Sequence, residues 1–338
     1  MQKQYLIKNW KCYRIVNGKI IPTRSCEINA VDHCNIACMD CNHVSPTAKM
    51  RIADPDVVFR DLSILSLFYR SAEIKILGGE PLLHPDMPTL LKAIRRSGVS
   101  NHIKLVTNGI LLSRMKDEIW KELDEIELSV YPQTEPLLSP HMGDIYKSAK
   151  RHRVKLVRYF YENFRITFST VGTDDHVLSQ RIYKACKLAR LWGCQSVHDG
   201  YFFKCPQSIY IPNILDKAVS YDYREDGVKI ISTPDFPDKL KGYLNSRKPL
   251  RACRYCLGSV GRSRVHRLAK TTGWESVHAV PAEELVDYDK LSRLENDKGA
   301  SDINKIQYKS LKYFIHHTFC FVSELIKHYF LKSSNRQL

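Results

Sequence analysis

The sequence predicts an α/β fold built on a parallel, barrel-type sheet, followed by a smaller cysteine-rich region. Three observations carry this reading. Strand-like and helix-like hydrophobic patterns alternate from residue 25 to about 175, the pattern of a parallel sheet with helical crossovers. Four conspicuous turns, at residues 33–43, 78–81, 107–109 and 129–131, fall at the carboxyl ends of expected strands, where such barrels gather ligand-binding residues. Beyond residue 175 the alternation stops, and Cys186, Cys194, Cys205, Cys253 and Cys256 crowd into the second half.

Residues 1–24 read as a short extension before the first strand, 25–31, which leads into the first turn. Asp54-Pro55-Asp56 is a helix-start signal, and Val57, Val58, Leu62, Leu65 and Phe68 then share one helical face. Further strands are expected at 73–77, 102–107, 125–130 and 154–160, with a sixth at 165–170. The intervening helices are expected at 85–97, 113–123 and 140–151. Residues 176–192 read as a helix, and His198-Asp199-Gly200-Tyr201 as a hairpin turn. An aromatic helix at about 308–331 is expected to pack on the barrel or on a second subunit. The expected domains are therefore 25–175, 176–275 and a helical tail, 276–338.

Composition excludes several classes. At 338 residues, 43% hydrophobic and 26% charged, the chain is an ordinary globular protein with room for a large core. The first dozen residues are polar and basic, unlike a signal peptide, and the apolar stretch 313–323 is too short to span a bilayer. A cytoplasmic protein is expected, so its eleven cysteines point to metal ligation rather than disulfides. A net charge of +16 suits anionic partners such as phosphorylated or nucleotide-linked small molecules. No appended RNA-binding module with aromatic platforms is evident, which argues against a nucleic-acid partner.

Cys34, Cys38 and Cys41 stand three and then two residues apart, so all three thiolates can face one tight loop. A cubane iron–sulfur cluster takes four soft ligands, and three would leave one iron open. A zinc loop and unrelated core cysteines are the alternatives. Leu77-Gly78-Gly79-Glu80-Pro81 follows the strand 73–77. Together the two motifs resemble the radical S-adenosylmethionine (SAM) superfamily, with its CxxxCxxC loop and GGE-type turn.

That resemblance implies a partial (βα)6 TIM-type barrel. It also implies a 4Fe-4S cluster on Cys34, Cys38 and Cys41, and SAM chelated at the open iron. Gly78, Gly79, Glu80 and Pro81 would meet the SAM amino group; Thr107, Asn108 and Ser129 would bind its ribose or carboxylate. Asp40 departs from the pattern, because an aromatic residue usually precedes the third cysteine and stacks on adenine; a carboxylate could only accept from the adenine amino group. A reductant such as a flavodoxin or ferredoxin is implied.

The second cysteine set resembles the Twitch domain, a shortened SPASM domain that binds an auxiliary 4Fe-4S cluster. By that resemblance its ligands are Cys205, Cys253, Cys256 and one of Cys186 or Cys194, with Cys186 favoured by its spacing to the hairpin. A four-cysteine zinc site competes. Tyr131 and His84 are candidate catalytic residues, each with a structural alternative: pocket lining and a Leu-His-Pro turn. Residues 262–267, rich in arginine, could clamp a phosphate or form a solvated loop. Cys12, Cys26 and Cys320 lack partners at ligand spacing and read as core residues. The expected activity is hydrogen abstraction from a sugar, aminocyclitol or nucleotide-linked substrate, with net oxidation. A peptide maturase, an RNA-modifying enzyme and a non-catalytic iron–sulfur or zinc protein are the competitors. The thirty or so residues before Cys34 leave no room for a peptide-recognition domain.

Overall fold

The structure is a computed structural model, and it describes residues 12–215, 219–269 and 278–296. Its strands are β1 (Tyr13–Val16), β2 (Lys19–Pro22), β3 (Ser25–Val31), β4 (Glu73–Gly78), β5 (Ile103–Thr107), β6 (Glu125–Val130) and β7 (Lys155–Phe160). The later strands are β8 (Asn163–Arg165), β9 (Cys194–His198), β10 (Tyr201–Phe203), β11 (Gly227–Lys229) and β12 (Ser263–Val265). The helices are α1 (Pro55–Ser66), α2 (Met87–Arg96), α3 (Asp117–Glu122), α4 (Glu135–Leu138), α5 (Met142–His152), α6 (His176–Ala185), α7 (Gln207–Tyr210), α8 (Phe236–Asn245), α9 (Ala282–Leu285) and α10 (Tyr288–Asn296).

Eight strands form one sheet in the order β11-β10-β9-β3-β4-β5-β6-β7. The run from β9 through β7 is parallel, and β10 and β11 add antiparallel strands at one edge. The fold is thus a mixed α/β structure dominated by a parallel sheet. Local signals start its helices. Asp54 caps α1 by accepting from Asp56 N at 2.8 Å, with Pro55 at the first position. Asp86 and Asp175 cap α2 and α6 in the same way. Cys26, Ile28, Ile74, Ile76, Ile103, Leu105, Ile126 and Leu128 point to one face and pack against Leu62, Leu65, Leu90, Ile94, Trp120 and Ile145 of the helices. Cys12 and Cys26 are buried in this core.

The opposite face is charged. Lys104 lies 2.7 Å from Glu73, 3.1 Å from Glu125 and 3.9 Å from Glu127. Lys75 lies 3.8 Å from Glu127, and Lys155 3.0 Å from Glu125. Burial pushes the Glu27 carboxyl up to about 7, against the pull of Lys75.

Two expectations are corrected. The sixth parallel strand is β9, not residues 165–170; it joins the free edge of β3 with Ser25 opposite Cys194. Residues 165–169 instead run against the second cysteine pair, with Leu257 N donating to Thr167 O at 2.8 Å and Ser169 N to Tyr255 O at 2.9 Å. Alternation marks a strand but does not name its partner. The expected helix 176–192 is interrupted at Cys186, where α6 ends and a second helical turn, Leu188–Trp192, begins. The extension before β3 is itself a hairpin, β1–β2, turning at Asn17-Gly18 with both residues at positive φ. The β9–β10 hairpin turns at Asp199-Gly200, as expected, with His198 opposite Tyr201. The tail helix at 308–331 and Cys320 lie outside the described residues. Among the described residues no helix is long and apolar enough to cross a membrane.

Candidate functional site

The cysteine loop leaves β3 at the carboxyl edge of the sheet and rests on the turn after β4. Gly79 N donates to Val31 O at 2.8 Å, and Glu80 N to His33 O at 3.0 Å. A Cβ on Gly78 would collide with the Val31 carbonyl oxygen, and one on Gly79 with that of His33. Gly78 also has a φ of 139°. The glycine pair is therefore what lets the two backbones touch.

Glu80 is fully buried and braces this edge. It accepts from Thr107 Oγ1 at 2.7 Å, Asn108 N at 3.0 Å and Leu82 N at 3.1 Å. Burial pushes its carboxyl up to about 7, while these bonds pull it down. Pro81 opens the short helical turn that Glu80 caps. Asn108 reaches back to the loop, donating to Asn35 Oδ1 at 2.7 Å with Cys34 Sγ at 3.8 Å. Cys34, Cys38 and Cys41 lie close enough to perturb one another. Burial is the largest influence on each and raises all three, Cys34 to about 12. Metal ligation requires these thiols to lose their protons.

At the end of β6, Tyr131 is half-buried beside Cys38 and Cys41, with Ser129 bonded to its hydroxyl; loss of solvent around the hydroxyl and those thiols push it well up. Its ring stacks on His266 at 4.6 Å and meets Phe164 edge-on at 5.4 Å. His84 is not in this group. Its Nε2 lies 2.8 Å from Ala53 O, and its Nδ1 accepts from Asp86 N at 3.1 Å. Both ring nitrogens are committed to backbone, so His84 holds the turn and the catalytic expectation is withdrawn. Asp40 is also engaged within the protein: its Oδ1 lies 3.1 Å from His278 Nε2 and 3.8 Å from Arg264. The His278 ring in turn stacks on Phe168 at 4.5 Å.

One participant escaped sequence reasoning. His266 Nε2 lies 3.2 Å from Cys38 Sγ, and Gln133 holds the ring at Nδ1 and the backbone at His266 O. The residues after it lie along the cysteine loop, with Met39 N donating to Arg267 O at 3.0 Å and Ala269 N to Ala37 O at 2.6 Å. In sequence this stretch offered only its basic character. In the structure Ser263–Val265 is β12, paired with β8, and the segment is a strap over the loop rather than a free basic loop.

The second cysteine set converges. Cys186, Cys205, Cys253 and Cys256 line one cavity, with an empty volume of about 330 Å3 including its mouth. The end of α6 brings Cys186, the segment after β10 brings Cys205, and the turn Arg251–Arg254 brings Cys253. Gly258 passes so close to Cys186 that an added Cβ would sit 3.3 Å from its Sγ. Burial raises all four thiols, and neighbouring thiols of the set raise Cys205, Cys253 and Cys256 further. Cys194 does not join them. It sits on β9 beside β3 and bonds the Glu27 carboxylate. Spacing alone left Cys186 and Cys194 as alternatives, and only Cys186 lines the cavity. Gln207 also lines the cavity and donates to Asn42 O at 2.9 Å, bridging to the first loop.

Residues 28–134 match the family model described as the Radical SAM superfamily. Among curated relatives, a probable GTP 3',8-cyclase of Methanococcus vannielii is 31% identical over 109 residues, 32% of this chain and 36% of that protein. The GTP 3',8-cyclase of Chlorobaculum tepidum is 33% identical over 100 residues, 29% of each chain. The chain thus spans roughly a third to a half of the length of the curated relatives it matches. Among solved structures, BtrN in complex with AdoMet and 2-DOIA aligns over 70% of this chain and 93% of its own, with a TM-score of 0.40 and 14% identity. The matched segment contains the cysteine loop, the glycine turn and the Thr107–Asn108 strand end, and residues 28–134 are a radical SAM domain.

Proposed function

We propose that the chain is a radical SAM enzyme in which Cys34, Cys38 and Cys41 hold a 4Fe-4S cluster with one iron open to SAM. The observation that carries this reading is the clasp of the cysteine loop by the ends of β4 and β5, through Gly79, Glu80 and Asn108. When bound, the reduced cluster supplies the electron that breaks a carbon–sulfur bond of SAM, leading to hydrogen abstraction from the substrate. The protein's own part is positional. Glu80 locks the ends of β4 and β5 together, so that Gly78 to Pro81, Thr107, Asn108 and Ser129 face SAM from fixed strand ends. The strap bearing His266 and the Tyr131 ring stacked on it close the loop on the other side and keep water from it.

Cys186, Cys205, Cys253 and Cys256 fit a second cluster of the same kind. Four soft donors surround one volume, and thiolates are the ligands such a cluster takes. A four-thiolate group beside the first site suits net oxidation of a small hydroxylated or nucleotide-linked substrate, and a flavodoxin or ferredoxin suits the reductant. The names of the curated relatives favour a second reading, a redox-neutral ring closure on a nucleotide.

Anaerobically reconstituted protein given dithionite and SAM should release 5'-deoxyadenosine, and the Cys38→Ala variant should release none. Equal release from both would overturn the loop assignment. Mass spectrometry of candidate sugars, aminocyclitols and nucleotides then separates the readings: a product lighter by two hydrogens supports oxidation, one of unchanged mass supports ring closure.

A further inference from the structure

The surroundings of the four-thiol cavity contain a charge that the proposed chemistry leaves unexplained. β8 ends on Arg165, and the chain then follows the cysteine pair closely. Ile166 N donates to Arg262 O at 2.9 Å, and Phe168 bridges Cys256. Gly261 lies against the Ile166 carbonyl so tightly that a Cβ would collide with it. These contacts hold Arg165 half-buried, and the acidic groups that act on its guanidinium include the Cys186 and Cys256 thiols. Its Nε is buried with no acceptor, and among the described residues no carboxylate pairs with it.

Nearby charge is mostly of the same sign. Lys290 is repelled by Arg165, Arg293 and Lys187 and attracted by Asp287. Lys204, a buried cation near Cys205 and Cys253, differs in having hydrogen-bond partners: it donates to Ser246 O at 2.9 Å and lies 3.4 Å from the Tyr183 hydroxyl. Arginine does not give up its proton in proteins, and a half-buried charge with no opposite partner disfavours the folded state. The anion that Arg165 lacks is one that four thiolates around a metal cluster would carry.

We propose that Arg165 is the built-in counter-ion of the second iron–sulfur cluster, and that its fixed charge raises the reduction potential of that cluster. The inference rests on the four thiols holding such a cluster. Reduction adds negative charge, and a cation held in a low-dielectric site stabilises the reduced form more than the oxidised one. Arg165 here positions charge and takes no direct part in bond making.

The test uses the full chain with Cys34, Cys38 and Cys41 all replaced by Ala, so that remaining iron belongs to the second set. Iron and sulfide are assayed after anaerobic reconstitution, folding is checked by circular dichroism, and the midpoint potential is read by an electron-paramagnetic-resonance redox titration. Arg165→Gln should keep the iron and shift the midpoint to a more negative value, and Arg165→Lys should restore it toward the parent. An unshifted midpoint in a cluster-loaded R165Q overturns the role of Arg165. Absence of iron in the folded parent instead overturns the cluster reading beneath it. If R165Q binds no iron, R165K must still bind it, because charge rather than shape is claimed; loss in both overturns the proposal. Titrating both clusters in the otherwise wild-type chain gives the same comparison should the triple variant not fold.

Discussion

At the scale of single residues, the site depends on where atoms are missing as much as on where they are. Gly79 has no room for a side chain because the His33 carbonyl occupies the place of a Cβ. Gly79→Ala must push the glycine turn away from the cysteine loop, breaking the bonds at Val31 O and His33 O. We predict a loss of roughly 3 kcal/mol or more, within the range of severe backbone strain, together with loss of SAM cleavage. Gly143, in α5 with nothing within 4 Å of an added Cβ, is the control; Gly143→Ala should change stability by about 1 kcal/mol or less. Urea denaturation of both variants checks this, and equal effects would show that the close approach is not what Gly79 provides. Gly78 and Gly79 were legible in the sequence because a turn motif is local. His266 was not, because its link to Cys38 joins residues far apart in the chain.

At the scale of elements, the sheet has an apolar face under the helices and a charged face in which Lys104 serves Glu73 and Glu125. Burial alone would raise the Glu125 carboxyl, but bonds from Lys155 and Lys104 outweigh it and hold the group below its usual value. Lys104→Met takes its nearest lysine from Glu73 and one of two lysines from Glu125, which keeps Lys155. It should cost about 1–3 kcal/mol at pH 7. A depressed carboxylate stabilises the fold above its unfolded pKa and loses that contribution as the pH falls through the folded value. The deficit of K104M against the parent should therefore shrink by pH 4. Denaturation midpoints at the two pH values decide the matter, and a deficit independent of pH would point to lost packing instead. The partnering of β9 with β3 belongs to this scale too. Cys194–His198 carries no local mark that it belongs beside a strand about 170 residues earlier, and residues 165–170 carry the same alternation yet lie elsewhere.

At the scale of the whole molecule, two cysteine sets occupy distinct places and are linked by chain. From Cys256 the backbone runs through β12 to His266 and back onto the first cysteine loop, and Gln207 touches both places. On the proposed reading the two sets hold separate iron complements, about eight irons in all for two cubanes. Replacing Cys34, Cys38 and Cys41 together should leave about half of the iron and sulfide, and replacing Cys253 and Cys256 should leave the other half. Removal of all metal by either change would show a single shared site. Zinc retained by the first variant in place of iron would favour the structural-zinc alternative.

What the sequence determined by itself was local: the three-cysteine spacing, the glycine turn, the capped helices and the two-residue hairpin at Asp199-Gly200. Each is specified by neighbours within a few residues, through ligand reach, steric room or backbone dihedral. Tertiary structure alone decided which cysteines line the second cavity, which strand is the sixth, that Glu80 braces Thr107 and Asn108, and that both ring nitrogens of His84 are taken by backbone. Those choices depend on which distant surfaces are buried together. Burial removes solvent from each pair of partners at once, so no stretch of sequence read alone contains the answer.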